Sequence, residues 1–78
     1  MKQNEITTWL VIRVATMLER DAAEIDPTAS FTDLGLSSLQ AVELTGDLEE
    51  NTGVPVSPTA VYDHPTIEAL GAEISESL

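Results

Sequence analysis

An all-α fold, a small four-helix bundle of three main helices plus one short helix, is what this sequence predicts. Three observations point there. Apolar residues recur three or four positions apart in three separate stretches. Residues that start and stop helices stand at the borders of those stretches. Nothing alternates with period two for long enough to make a strand. At 78 residues the chain is expected to form one domain, 1–78, with an ordered core over about 4–76.

In the first helix Asn4 is the expected N-cap, and the helix runs to about Glu19. Ile6, Leu10, Val14, Met17 and Leu18 share one stripe, with Val11 at its edge. Trp9 and Ile12 lie off that stripe and are expected to meet the connection that follows. That connection, roughly 20–36, is long for a compact domain, so Ile25, Phe31 and Leu34 are expected to pin it. A single helical turn fits around Ser30 to Leu34.

Ser37 followed by Gln40 at the third helical position forms a capping box, each side chain satisfying an orphan backbone N–H. The second main helix should therefore run from Ser38 to about Asn51 and stop near Gly53. Ser57-Pro58 reads as an N-cap with Pro at the first helical position, opening a short helix to about Tyr62. Pro65 is expected to open the last helix in the same way. There Ile67, Leu70, Ile74 and Leu78 line one stripe, and Gly71 allows close approach. Periodicity assigns the core to Leu10, Val14, Leu18, Leu44, Leu48, Ile67, Leu70 and Ile74.

A domain this small buries a marginal core, and without cysteine it has neither a disulfide staple nor a thiolate nucleophile or ligand. The longest apolar run, Trp9-Leu10-Val11-Ile12, is too short for a membrane span. Glu5 precedes it and Arg13 interrupts it, unlike a secretory signal, so a cytoplasmic location is expected. The net charge is −11, and Lys2, Arg13 and Arg20 are the only cations. Asp21 to Leu78 holds twelve carboxylates and no Lys or Arg. Such a surface repels nucleic acid and anionic membranes and attracts basic protein surfaces. Charge alone is equally accounted for by solubility.

Catalytic constellations are absent from the sequence. The single histidine, His64, precedes Pro65 and reads as a cap or turn residue, and no Ser-His-Asp or Cys-His set can be assembled. Counted from Asp26, a calcium loop would need glycine where Phe31 stands and glutamate where Ser37 stands. No metal site is expected. What remains is Ser38. A serine at a helix start is ordinarily only a cap, but here Ser37 fills that role through Gln40. Ser38 is left free at the first helical position, where the helix dipole and unpaired N–H groups suit a covalently attached phosphate.

Phe31-Thr-Asp-Leu-Gly35-Leu-Ser-Ser38-Leu39-Gln-Ala-Val-Glu-Leu44 resembles the phosphopantetheine-attachment motif of carrier proteins, Gly-x-Asp-Ser-Leu, whose serine is the modified residue. Ile25-Asp26-Pro27 resembles the family's first-loop signature. Ser57-Pro58-Thr-Ala-Val-Tyr62-Asp-His-Pro65-Thr66-Ile67 resembles the approach to the last helix in modular polyketide-synthase carriers. The resemblance covers essentially the whole chain. It implies an acyl-carrier-protein-like fold and 4'-phosphopantetheine on Ser38. It also implies a non-catalytic, monomeric carrier that is loaded by a phosphopantetheinyl transferase. Such a carrier presents thioesters to a ketosynthase, acyltransferase, reductase or thioesterase. The family's usual Asp before the modified serine is replaced by Ser37, which removes one negative charge that a transferase would read.

Two other classes stand beside this one. Peptidyl carriers of non-ribosomal synthetases usually show two glycines before the variable residue and Ser-Leu, whereas this chain has Gly35-Leu36-Ser37. An unmodified acidic adaptor would explain the charge but not the Gly-Leu-Ser-Ser-Leu context. On the second main helix, at about 100° per residue, Ala41, Leu44 and Leu48 share the core side. Gln40, Glu43, Asp47 and Glu50 gather opposite, with Leu39 among them. An apolar residue ringed by like charges, next to Ser38, marks Leu39, Glu43, Asp47 and Glu50 as the expected docking face for basic patches on partner enzymes.

Overall fold

The computed structural model describes residues 2–78. In chain order they form α1 (Gln3–Leu18), a 3-10 turn (Ala22–Glu24), α2 (Phe31–Leu34), α3 (Ser38–Thr52), α4 (Ala60–Asp63) and α5 (Ile67–Glu76). Three helices are long, as expected, and two are single turns; α2 is the turn that the connection was expected to accommodate. The one β-type contact among the described residues is an isolated bridge between Ser30 and Thr66.

Ile6, Leu10, Val14, Leu44, Leu48, Ile67 and Leu70 are wholly inaccessible to solvent and make the centre of the core. Ile74, Ala41, Ile25, Phe31, Leu34, Ala60 and Val61 close around them. Thr45 is buried too, and its hydroxyl donates to the Val42 carbonyl at 2.9 Å, which removes the cost of an unpaired polar group. Leu18, assigned to the core from periodicity, is only half-buried with Met17. Both sit in the last turn of α1, where the chain leaves the bundle. Leu78 is 51% exposed because α5 has already ended.

α1 makes its broadest contact with α5. Gly71 is what permits it: a Cβ there would lie 2.8 Å from Thr7 Oγ1. Trp9 is half-buried against the core. It also lies beside Asp47, Glu50 and Asn51 of α3, while Ile12 is 54% exposed.

The connection between α1 and α3 is held at both ends of α2. Ile25, Phe31 and Leu34 are buried as expected. Polar bonds add to these anchors: Phe31 N–H donates to the Pro65 carbonyl at 2.8 Å, and Glu68 N–H to the Pro27 carbonyl at 3.0 Å. Around Pro27, Asp26 Oδ1 accepts from both the hydroxyl and the N–H of Thr28, at 2.7 and 2.9 Å. Those two bonds hold the Asp26 carboxyl below the usual carboxylate range, the hydroxyl's contribution being the larger.

Three helix starts differ from expectation. Lys2, not Asn4, is the N-cap of α1, without a side-chain bond; Asn4 lies inside the helix, where its carbonyl accepts the Thr8 hydroxyl. α4 begins at Ala60 because Ser57 first closes a tight turn, its carbonyl accepting Ala60 N–H at 2.9 Å. α5 begins at Ile67 with Thr66 as the cap, its hydroxyl accepting Ala69 N–H at 3.0 Å. Pro65 stands one residue before that cap and lends its carbonyl to Phe31.

Leu48 lies at the centre of this packing. Leu48→Ala is expected to lower stability by about 2–5 kcal/mol in chemical unfolding, most of what a domain this small possesses. An unchanged unfolding midpoint would mean that α3 does not hold the seam.

Candidate functional site

The site is built where α3 begins. α2 ends at Gly35, whose φ of 98° is left-handed, and the N–H groups of Gly35 and Leu36 turn back to the carbonyls of Thr32 and Phe31. Space does not demand glycine at this position, since a Cβ would meet nothing within 4 Å; the backbone conformation does. That reversal delivers Ser37 to the start of α3 in an extended conformation.

Both halves of the capping box form. Ser37 Oγ accepts from Gln40 N–H at 3.1 Å, and Gln40 Oε1 accepts from Ser37 N–H at 2.9 Å. Gln40 Nε2 then donates to the Met17 carbonyl at 3.3 Å, tying the box to the last turn of α1. Gln40 is thereby half-buried rather than part of an open face.

Ser38 is the first helical residue and is exposed. Its hydroxyl takes no part in capping and lies 3.3 Å from the hydroxyl of Tyr62 on α4. The backbone N–H groups of Ser38 and Leu39 have no intrahelical acceptor, as at any helix start.

The expected docking residues divide. Leu39 is 69% exposed, and Glu43 and Glu50 are exposed with it. Asp47 instead turns toward α1, where its Oδ2 accepts from Arg13 Nε at 2.8 Å and also contacts Nη2. This half-exposed pair contributes at most about 1 kcal/mol, but it neutralises one of the acids. Two exposed apolar side chains extend the face beyond the expected residues: Val42 at 49% and Tyr62 at 63%. Val42 was legible as the residue one turn beyond Leu39. Tyr62 was not, because its contact with Ser38 spans 24 positions. His64 caps the end of α4 and points its Nε2 toward Glu73 at 3.9 Å.

Residues 8–74 match the phosphopantetheine attachment site family. The chain belongs to that family of carrier domains. Over 78 residues it is 37% identical to the phenolphthiocerol synthesis polyketide synthase type I Pks15/1 of Mycobacterium marinum, an alignment that takes in 99% of this chain and 4% of that protein. The carrier domain thus spans a small part of the polyketide synthase that it matches, and its sequence type is that of polyketide-synthase carriers.

Among solved structures, a free-standing peptidyl carrier protein from an uncharacterized secondary metabolic pathway of Acinetobacter baumannii is similar at a TM-score of 0.90 and 33% identity, covering 99% of this chain and 98% of that one. An acyl carrier protein from Anabaena sp. PCC 7120 with a variant phosphopantetheinylation-site sequence is similar at 0.89 and 31% identity, covering 99% and 88%. Acyl and peptidyl carriers share this backbone, so the fold does not separate them. The alignment of 99% of this chain with a segment of a polyketide synthase, together with leucine at position 36, favours the polyketide kind.

Proposed function

We propose that Ser38 is the attachment residue and that the chain serves polyketide assembly as a non-catalytic, cytoplasmic carrier of acyl intermediates. One observation carries this reading: two adjacent serines do different work at the start of α3. Ser37 spends its hydroxyl on the cap, while the Ser38 hydroxyl is exposed at the first helical position. A transferase can reach it without dismantling the helix. The residues also fit the group. Free N–H groups at a helix start favour an attached phosphate by about 0.3–1 kcal/mol. When bound, 4'-phosphopantetheine supplies a terminal thiol that holds acyl groups as thioesters. The chain's own part is to fix the root of that arm on a rigid helix and to present it.

The replacement of the family's Asp by Ser37 is compatible with this reading, since Ser37 builds the cap in full. The Anabaena carrier is similar in fold and bears a variant site sequence of its own. Partner enzymes, namely the transferase and then a ketosynthase, acyltransferase or other synthase enzyme, would dock on Leu39, Glu43 and Glu50. Asp47 belongs to the same helix face, but its charge is shared with Arg13.

Ser38→Ala is expected to gain no mass when incubated with coenzyme A and a broad-specificity transferase, while keeping the helicity of the parent. A full mass gain on that variant would remove Ser38 from its role. Reversing Glu43 and Glu50 together to lysine should raise the KM for loading several-fold at low salt, with the difference shrinking as ionic strength rises. A double variant that loads like the parent at low salt, with helicity intact, would move the docking face elsewhere.

A further inference from the structure

The Tyr62 hydroxyl reaches Ser38 Oγ from another helix, 24 residues along the chain, at 3.3 Å. Its ring is 63% exposed, so burial of the ring does not account for its position. The backbone beneath it is firmly placed: the neighbouring Ala60 and Val61 are buried, and His64 N–H closes the end of α4 on the Ala60 carbonyl at 2.8 Å. Either hydroxyl can donate while Ser38 is unmodified.

Charge makes this contact more than incidental. A phosphodiester on Ser38 adds an anion to a chain of net charge −11 whose only cations are Lys2, Arg13 and Arg20. Of these, Arg13 is engaged by Asp47, and no Lys or Arg follows Arg20 anywhere in the sequence. The donors that the structure places at Ser38 itself are neutral. The start of α3 supplies backbone N–H groups, and the side chain already in hydrogen-bond contact with Ser38 is a phenol. A neutral donor to an ionised acceptor makes a shorter and roughly twofold stronger bond than one between neutral groups. Because the phosphorus bonds to that same Oγ, Tyr62 adjoins the phosphate rather than some remote part of the arm.

We propose that Tyr62 is a positioning residue for the arm: once Ser38 carries the phosphodiester, the Tyr62 hydroxyl donates to a free phosphate oxygen and ties the root of the arm to α4. This rests on Ser38 being the attachment residue. It gives α4, otherwise a single turn between two loops, a function in orienting the arm.

Parent and Tyr62→Phe chains, each loaded from coenzyme A and checked by intact mass, would be compared by 31P NMR. Tyr62 is the only tyrosine, so its ring protons are unambiguous reporters as well. In the loaded parent, nuclear Overhauser contacts are expected between the ring and the dimethyl group of the pantetheine. In Tyr62→Phe the 31P resonance should shift and narrow as the arm gains freedom, while the melting temperature of the unloaded chain stays at the parent value. Identical 31P resonances in the two loaded chains would overturn the proposal, and so would a Tyr62→Phe chain that folds but cannot be loaded, since Tyr62 would then act on the bare serine. A parent chain that gains no mass would instead refute the Ser38 reading itself.

Discussion

Two hydrogen bonds of about 3 Å, exchanged between Ser37 and Gln40, fix where α3 begins, and the site depends on that register. If the helix started one residue later, Ser38 would become the cap and its hydroxyl would be consumed by a backbone N–H. If it started one residue earlier, Ser38 would become the second helical residue, one step further from the free end. Gln40 also anchors the box to the end of α1 through the Met17 carbonyl. The position of one hydroxyl is thus tied to the packing of the two longest helices.

The rest of the fold can be seen as support for that end of α3. α1, α3 and α5 bury a continuous apolar seam, and Gly71 lets α1 and α5 approach closely. The loop that delivers Ser37 has little regular structure, so it borrows order from α5 and the residues just before it, through the Phe31–Pro65 and Glu68–Pro27 bonds. α4 then brings Tyr62 to the same end of the molecule. Acidity has a parallel division. Asp47 is held by Arg13, whereas Glu43 and Glu50 stay in solvent beside the exposed Leu39, where they can steer a basic partner without destabilising a packed interior.

The features legible in the sequence were those written locally. The capping box spans three residues, the core stripes of α1, α3 and α5 follow one helical period, and Gly53 closes α3 as a left-handed residue should. What escaped reading was set by partners far along the chain. Asp47 pairs with a residue 34 positions away and Tyr62 with one 24 positions away, and no local pattern announces either. Pro58 and Pro65 suggested helix starts because proline favours the first helical position, but neighbouring residues decided the matter. The Ser57 carbonyl closed a turn ahead of α4, and the Thr66 hydroxyl capped α5 just after Pro65. Leu18 lay on the right stripe of α1 yet near its end, where neighbours cover only part of it.

The division between the two serines is the central claim, and its most direct test is to map the phosphopantetheine by peptide fragmentation on both the parent and Ser37→Ala chains. One label at Ser38 in both is the expected result, with Ser37→Ala losing about 0.5–2 kcal/mol of stability as its cap disappears. A label at Ser37 in the parent, or a folded Ser37→Ala chain that accepts none, would contradict it.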